Sequence, residues 1–77
     1  MSAQITRTLD LKGLSCPLPI VKTAQAIREL RSGELIEALA TDPGSVADFE
    51  AWCTTTGHEL IERSEADAVY RFVIRKK

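Results

Sequence analysis

The chemistry in this 77-residue chain centres on sulfur, with one cysteine at Cys16 and a second at Cys53. Cys16 opens the run Cys16-Pro17-Leu18-Pro19, where a loop passes into a helix. Proline suits the first helical turn, because amides there have no intrahelical partner and its fixed φ matches helix entry. Cys16 therefore falls at or near an N-cap, where free amides and the positive end of the macrodipole favour an anion. A thiolate gains from that field, and so does the terminal persulfide anion of a sulfur-loaded cysteine. The expectation is an exposed thiol, more acidic than ordinary and held outward by a stiff turn. The competing reading is a small buried hydrophobe beside a helix start, the usual fate of a lone cysteine. The residues alone leave both open.

Few other groups can assist Cys16. Asp42, in the run Asp42-Pro43-Gly44-Ser45, is the candidate neighbour, or else a carboxylate that only organises its own turn. His58 is the single histidine and follows the second helix. Roughly eleven residues at about 1.5 Å each carry it some 16 Å to the far end of the sheet, so it is not a base for Cys16. Cys53 lies about two turns down that helix on its inward face, too distant for a disulfide with Cys16, and is assigned to the core. Trp52 reads as core edge. Tyr70 and Phe72 read as core rather than a base-stacking surface, since no basic patch accompanies them. Lys76 and Lys77 read as a solvated tail.

Composition narrows the function classes. Ten Lys and Arg against eleven Asp and Glu give a net charge of -1, which argues against an electrostatically driven nucleic-acid binder. Hydrophobic residues at 44% and charged ones at 27% fit an ordinary soluble domain. No apolar run approaches the roughly 20 residues of a membrane span, and Met1 to Thr8 lack the apolar segment of a secretion signal. A cytoplasmic location is expected. Two cysteines are too few for a disulfide framework or a four-ligand zinc site, so neither metal nor cofactor is expected. A chain this short buries only about 60% of its unfolded surface, which leaves little room for an enclosed active site. One domain over residues 1–77 is expected, with its chemistry at the surface.

The elements that must position Cys16 follow from periodicity. Ile5 to Leu11 alternates as a short strand, and Lys12 to Ser15 makes a loop. Ile20, Ala24, Ile27 and Leu30 recur at helical spacing from Pro17 to about Arg31, with Gly33 as the stop. Leu35 to Thr41 is a second strand. Ser45, with Asp48 three residues on, predicts a capping box for a second helix that places Val46, Phe49, Cys53 and Thr56 on one face and ends at Gly57. Leu60 to Arg63 and Val69 to Arg75 are the last two strands, around a turn from Glu65 to Ala68. The order βαβαββ with right-handed crossovers predicts an α+β two-layer sandwich, its four-stranded mixed sheet backed by two helices on one face. Strand four is apolar on both faces, which places it inside the sheet in spatial order 1-2-4-3, antiparallel to the rest. The open face carries Leu35, Leu39, Val69 and Val73 between charges, as a partner surface or an incompletely polar one. The Cys16 loop and the Asp42 turn both leave the carboxyl end of the sheet, the usual ligand side.

With these residues in place, the chain resembles the TusA-type, SirA-like sulfur-carrier family over nearly its whole length. The resemblance rests on Leu9-Asp10-Leu11, Gly13-Leu14 and the C-P-x-P motif Cys16-Pro17-Leu18-Pro19. Gly33 to Leu35, Asp42-Pro43, Trp52-Cys53, Gly57-His58-Glu59-Leu60 and Tyr70 to Lys76 extend it. Phe49 and Ala51 stand where relatives often have Ile and Pro, and Ala68 where Gly is common, which leaves the branch of the family open. The resemblance implies a persulfide on Cys16, positioned by Pro17, Pro19 and Asp42. It implies sulfur received from a cysteine desulfurase or rhodanese-like donor and passed to a relay acceptor. The implied destinations are tRNA thiolation, molybdenum-cofactor synthesis or dissimilatory sulfur metabolism. Leu18, Lys22, Arg28 and Asp42 carry over as partner-facing residues. Two rival classes make distinct predictions: a non-catalytic regulatory or binding module would tolerate loss of Cys16, and a thiol redox protein would form a Cys16–Cys53 disulfide.

Overall fold

The computed structural model describes residues 4–77. Its elements are β1 (Ile5–Leu11), α1 (Leu18–Ile27), β2 (Leu35–Ala40), α2 (Ser45–Thr56), β3 (Glu59–Ala66) and β4 (Val69–Arg75). The sheet order is β1-β2-β4-β3, with β1 and β2 parallel and β4 antiparallel to both its neighbours. This is the predicted two-layer architecture. The side-chain alternation of the strands sends Leu9, Leu11, Ile36, Ala38, Ala40, Phe72 and Ile74 into one core with the helices. Phe49 of α2 stacks on Phe72 of β4 with ring centroids 4.3 Å apart, and both are fully buried. Trp52 meets Phe49 edge-on at 6.3 Å, as the rim of that core.

The opposite face of the sheet is polar above an apolar floor. Leu35 and Val73 are buried there, under the stems of long charged side chains. Arg71 bridges Glu37 and Glu62, the latter at 2.6 Å, and Arg75 pairs with Glu59. The Arg71 guanidinium holds the Glu37 carboxyl below the ordinary carboxylate range, with help from the Thr8 hydroxyl. These ion pairs cover the strip that the alternation leaves between charges.

Four local expectations are corrected. Helix α1 stops at Ile27, four residues short of Arg31, because Glu29 and Leu30 tighten into bonds to the carbonyls three residues back. Gly33, with φ +89°, is therefore a loop residue whose N–H donates to the Lys76 carbonyl at 2.8 Å. The lysine tail is docked rather than free, since Lys76 Nζ donates to the Leu30 carbonyl at 2.5 Å and Lys77 N–H to His58 Nδ1 at 3.0 Å. Strand β3 runs to Ala66, twice the predicted length, on pairing with β4 that its exposed polar sequence does not advertise. No capping box forms at α2: Gly44 is the N-cap, and Asp42 bonds the Gly44 N–H instead at 3.1 Å. Gly57 does end α2, in the left-handed conformation with φ +86°.

The β3–β4 turn is Asp67-Ala68, both at positive φ, 52° and 63°. Such a turn matches the twist of the strands, but a Cβ at Ala68 costs about 1 kcal/mol in this region. Ala68→Gly is expected to raise stability in urea by up to about that amount. Phe49→Ala should cost about 3–5 kcal/mol, enough to threaten a fold of this size, and both changes are read from the denaturation midpoint. Unchanged stability in Phe49→Ala would contradict the assigned core.

Candidate functional site

Parallel pairing of β1 with β2 runs in register from Leu9↔Ala38 to Leu11↔Ala40, so the two following loops leave the sheet side by side. Gly13, at φ +85°, turns the first loop back, and its N–H donates to Thr41 Oγ1 at 2.9 Å. The loops are then locked at the cysteine itself. The Cys16 N–H donates to Asp42 Oδ2 at 2.6 Å, while Asp42 Oδ1 takes the Gly44 N–H. Asp42 thus does both things the sequence allowed it, organising its own turn and fastening the loop that carries Cys16. Pro17 is the N-cap of α1, and Pro19 sits buried in its first turn.

Cys16 is exposed, and its thiol donates to Asp48 Oδ2 at 2.6 Å. Asp48 is the residue the sequence reading missed, assigned there to capping. The available signal was topological: a first-turn residue of the helix that follows β2 must lie at the carboxyl end of the sheet, beside Cys16.

This contact corrects the expected acidity. The hydrogen bond to Asp48 holds the Cys16 thiol above its ordinary range, and the nearby charges of Asp48 and Asp42 push the same way. The helix start supplies little to oppose them. Pro17 and Pro19 have no N–H, the Leu18 N–H is bonded to the Ser15 carbonyl at 2.9 Å, and the Cys16 N–H is spent on Asp42. The prolines that stiffen the turn have removed the donors that would have stabilised a thiolate.

In the opening turns of α1, Leu18 is 44% exposed and Val21 41% exposed, two of three large hydrophobics left in solvent among the described residues. Lys22, one turn beyond Leu18, lines a shallow groove with Arg7, Leu9, Asp10, Gln25 and Glu29. Arg28 does not join them: it is the C-cap of α1, about 15 Å along the axis from the cysteine end. His58 faces Trp52 and the chain end instead, and these surroundings lower its pKa through burial and the Lys76 and Lys77 charges. Cys53 is buried, and burial pushes its thiol up to about 11. No His, Cys, Asp and Glu cluster among the described residues could hold a metal ion, and no helix is long and apolar enough to cross a membrane.

At pH 8 a neutral alkylating reagent should modify Cys16 and spare Cys53 in the native protein. Asp48→Asn should speed alkylation of Cys16 by roughly threefold for each unit its pKa falls, the gain in thiolate being partly offset by lower nucleophilicity. Peptide mass analysis over time checks both. A slower Cys16 in Asp48→Asn would contradict the assigned contact.

The family and the fold are shared with known proteins. The family model described as sulfurtransferase TusA matches residues 7–76. A Halobacterium salinarum relative is 52% identical over 73 residues, covering 94% of this chain and 90% of its own. The sulfur carrier protein TusA of Allochromatium vinosum is 42% identical over 74 residues, with 96% and 97% covered. The crystal structure of a SirA-like protein from Desulfitobacterium hafniense superposes with a TM-score of 0.82 at 25% identity, covering 91% of this chain and 96% of that one. With the fold and these matches in agreement, the chain belongs to the TusA family of sulfur carriers.

Proposed function

We propose that this chain carries sulfane sulfur as a persulfide on Cys16, receiving it from one protein and yielding it to another in the cytoplasm. The observation that carries the reading is an exposed thiol on a locked loop, followed in the first turns of α1 by the exposed apolar residues Leu18 and Val21. A stand-alone enzyme needs a pocket and a base arranged around a small substrate. A carrier needs a reachable sulfur and a surface on which a second protein can seat its own cysteine. Leu18, Val21 and Lys22 are the proposed docking rim, with Asp42 beneath it and Arg28 at the outer limit of a larger partner. The donor class is a cysteine desulfurase or a rhodanese-like protein, and the acceptor is a further relay protein. The proposed destinations for the sulfur are tRNA thiolation, molybdenum-cofactor synthesis or dissimilatory sulfur metabolism.

Each transfer is an exchange at sulfur. Cys16 attacks the outer sulfur of the donor persulfide, the new S–S bond forms as the donor's breaks, and the donor leaves as a thiol. Asp42 acts by position, holding the backbone of the nucleophile through its N–H.

Incubation with a cysteine desulfurase and cysteine should add the mass of one sulfur to the Cys16 peptide, and Cys16→Ser should abolish it. Label on Cys53 instead, or full cellular function retained by Cys16→Ser, would overturn the reading in favour of a binding module.

A further inference from the structure

We propose that Asp48 poises this carrier toward discharge, by bonding the Cys16 sulfur in its empty state and losing that bond when the sulfur is loaded. The inference rests on the carrier reading above and assigns a role to a residue that reading does not use. Its basis is the direct contact of 2.6 Å between Cys16 Sγ and Asp48 Oδ2, in which the thiol donates and the carboxylate accepts.

The consequence follows from counting protons. In the empty carrier Sγ bears one hydrogen, and a carboxylate acceptor makes this a charge-assisted bond. In the loaded carrier Sγ is bonded to Cβ and to the outer sulfur, so it has no hydrogen left to donate. The outer sulfur of a persulfide is more acidic than a thiol and carries negative charge near neutral pH. It then faces two carboxylates: Asp48 on α2, and Asp42, which is held in place by the Cys16 and Gly44 N–H groups. Among the described residues no cation pairs with either carboxylate. Loading therefore exchanges an attraction for a repulsion.

The exchange is balanced without any added oxidant or reductant: Cys16–SH + R–S–S⁻ gives Cys16–S–S⁻ + R–SH. One S–S bond forms at Cys16 as another breaks at R, the electron pair of the broken bond stays on the inner sulfur of R, and the thiol proton ends there. Cys16 sulfur is oxidised as that inner sulfur is reduced. Because Asp48 favours only the left side, it shifts this equilibrium toward R–S–S⁻, the direction of delivery. The same contact makes the empty thiol a weaker nucleophile toward stray electrophiles.

The test is equilibration of the full chain with a fixed ratio of glutathione persulfide to glutathione, a small exchange partner on which docking contacts have no bearing. The ratio of loaded to empty Cys16 is read by peptide mass, for the natural chain, Asp48→Asn, Asp48→Ala and Cys16→Ser, with folding checked by circular dichroism. Loaded-to-empty ratios should rise by roughly three- to tenfold in both Asp48 variants, a charged hydrogen bond discounted for solvent exposure. The Cys16 titration followed by thiolate absorbance should move to lower pH in the same variants. An unchanged or lower ratio, or a raised ratio without that movement, would overturn the role of Asp48 and leave the carrier reading standing. Absence of sulfur on Cys16 in every folded variant that retains it would overturn the carrier reading itself.

Discussion

Everything at the sulfur depends on one constraint, the parallel pairing of β1 with β2. Parallel neighbours deliver their following loops to the same end of the sheet, and here those loops carry Cys16 and Asp42. The bond from the Cys16 N–H to Asp42 turns proximity into a fixed position. The chain after Asp42 enters α2 at once, which brings Asp48 to the thiol from the other side. Were β1 antiparallel to β2, the cysteine loop and the two carboxylates would lie at opposite ends of the molecule. The strand order matters for the same reason: β4 fills the middle of the sheet and, through Phe72 against Phe49, fixes α2 over it.

The chemical character of the site differs from that of an activated cysteine. A helix start normally offers free amides to an anion, yet two prolines and two committed N–H groups leave few of them here, and carboxylates take their place. Rigidity and acidity are thus in conflict at Cys16, and the fold favours rigidity. Under the proposed carrier function, in which the sulfur exchanges with cysteines presented by partners, a quiet resting thiol suits the task. The second cysteine shows the contrast, since burial raises the pKa of the Cys53 thiol, whereas the hydrogen bond to Asp48 raises that of the exposed Cys16.

The fold was legible in the sequence to a large degree, for identifiable reasons. Alternation in β1 and β4, helical spacing through Ile27, and the right-handed crossover rule together leave one economical topology, and the apolar character of both faces of β4 places it internally. What escaped was decided by tertiary pairing. The polar residues of β3 beyond Arg63 gain their strand from β4, and the lysine tail is drawn in by carbonyls at the end of α1. At the site, Cys16 and Asp42 were readable because motif and topology both point to them. Asp48 was hidden behind a local pattern, Ser-x-x-Asp, that predicts a cap with equal force; only the approach of the two loops decides which partner the carboxylate takes. The acidity of Cys16 departs from the macrodipole expectation because the prolines remove helix amides and Asp48 binds the thiol.

The most direct test of the carrier account is a single-turnover chase. Protein loaded with isotopically labelled sulfur, freed of its donor, is mixed with a relay acceptor, and the label on Cys16 and on the acceptor cysteine is followed together. The account predicts that label leaves Cys16 and reaches the acceptor with one shared time constant. Label released as free sulfide, with the acceptor left bare, would contradict it.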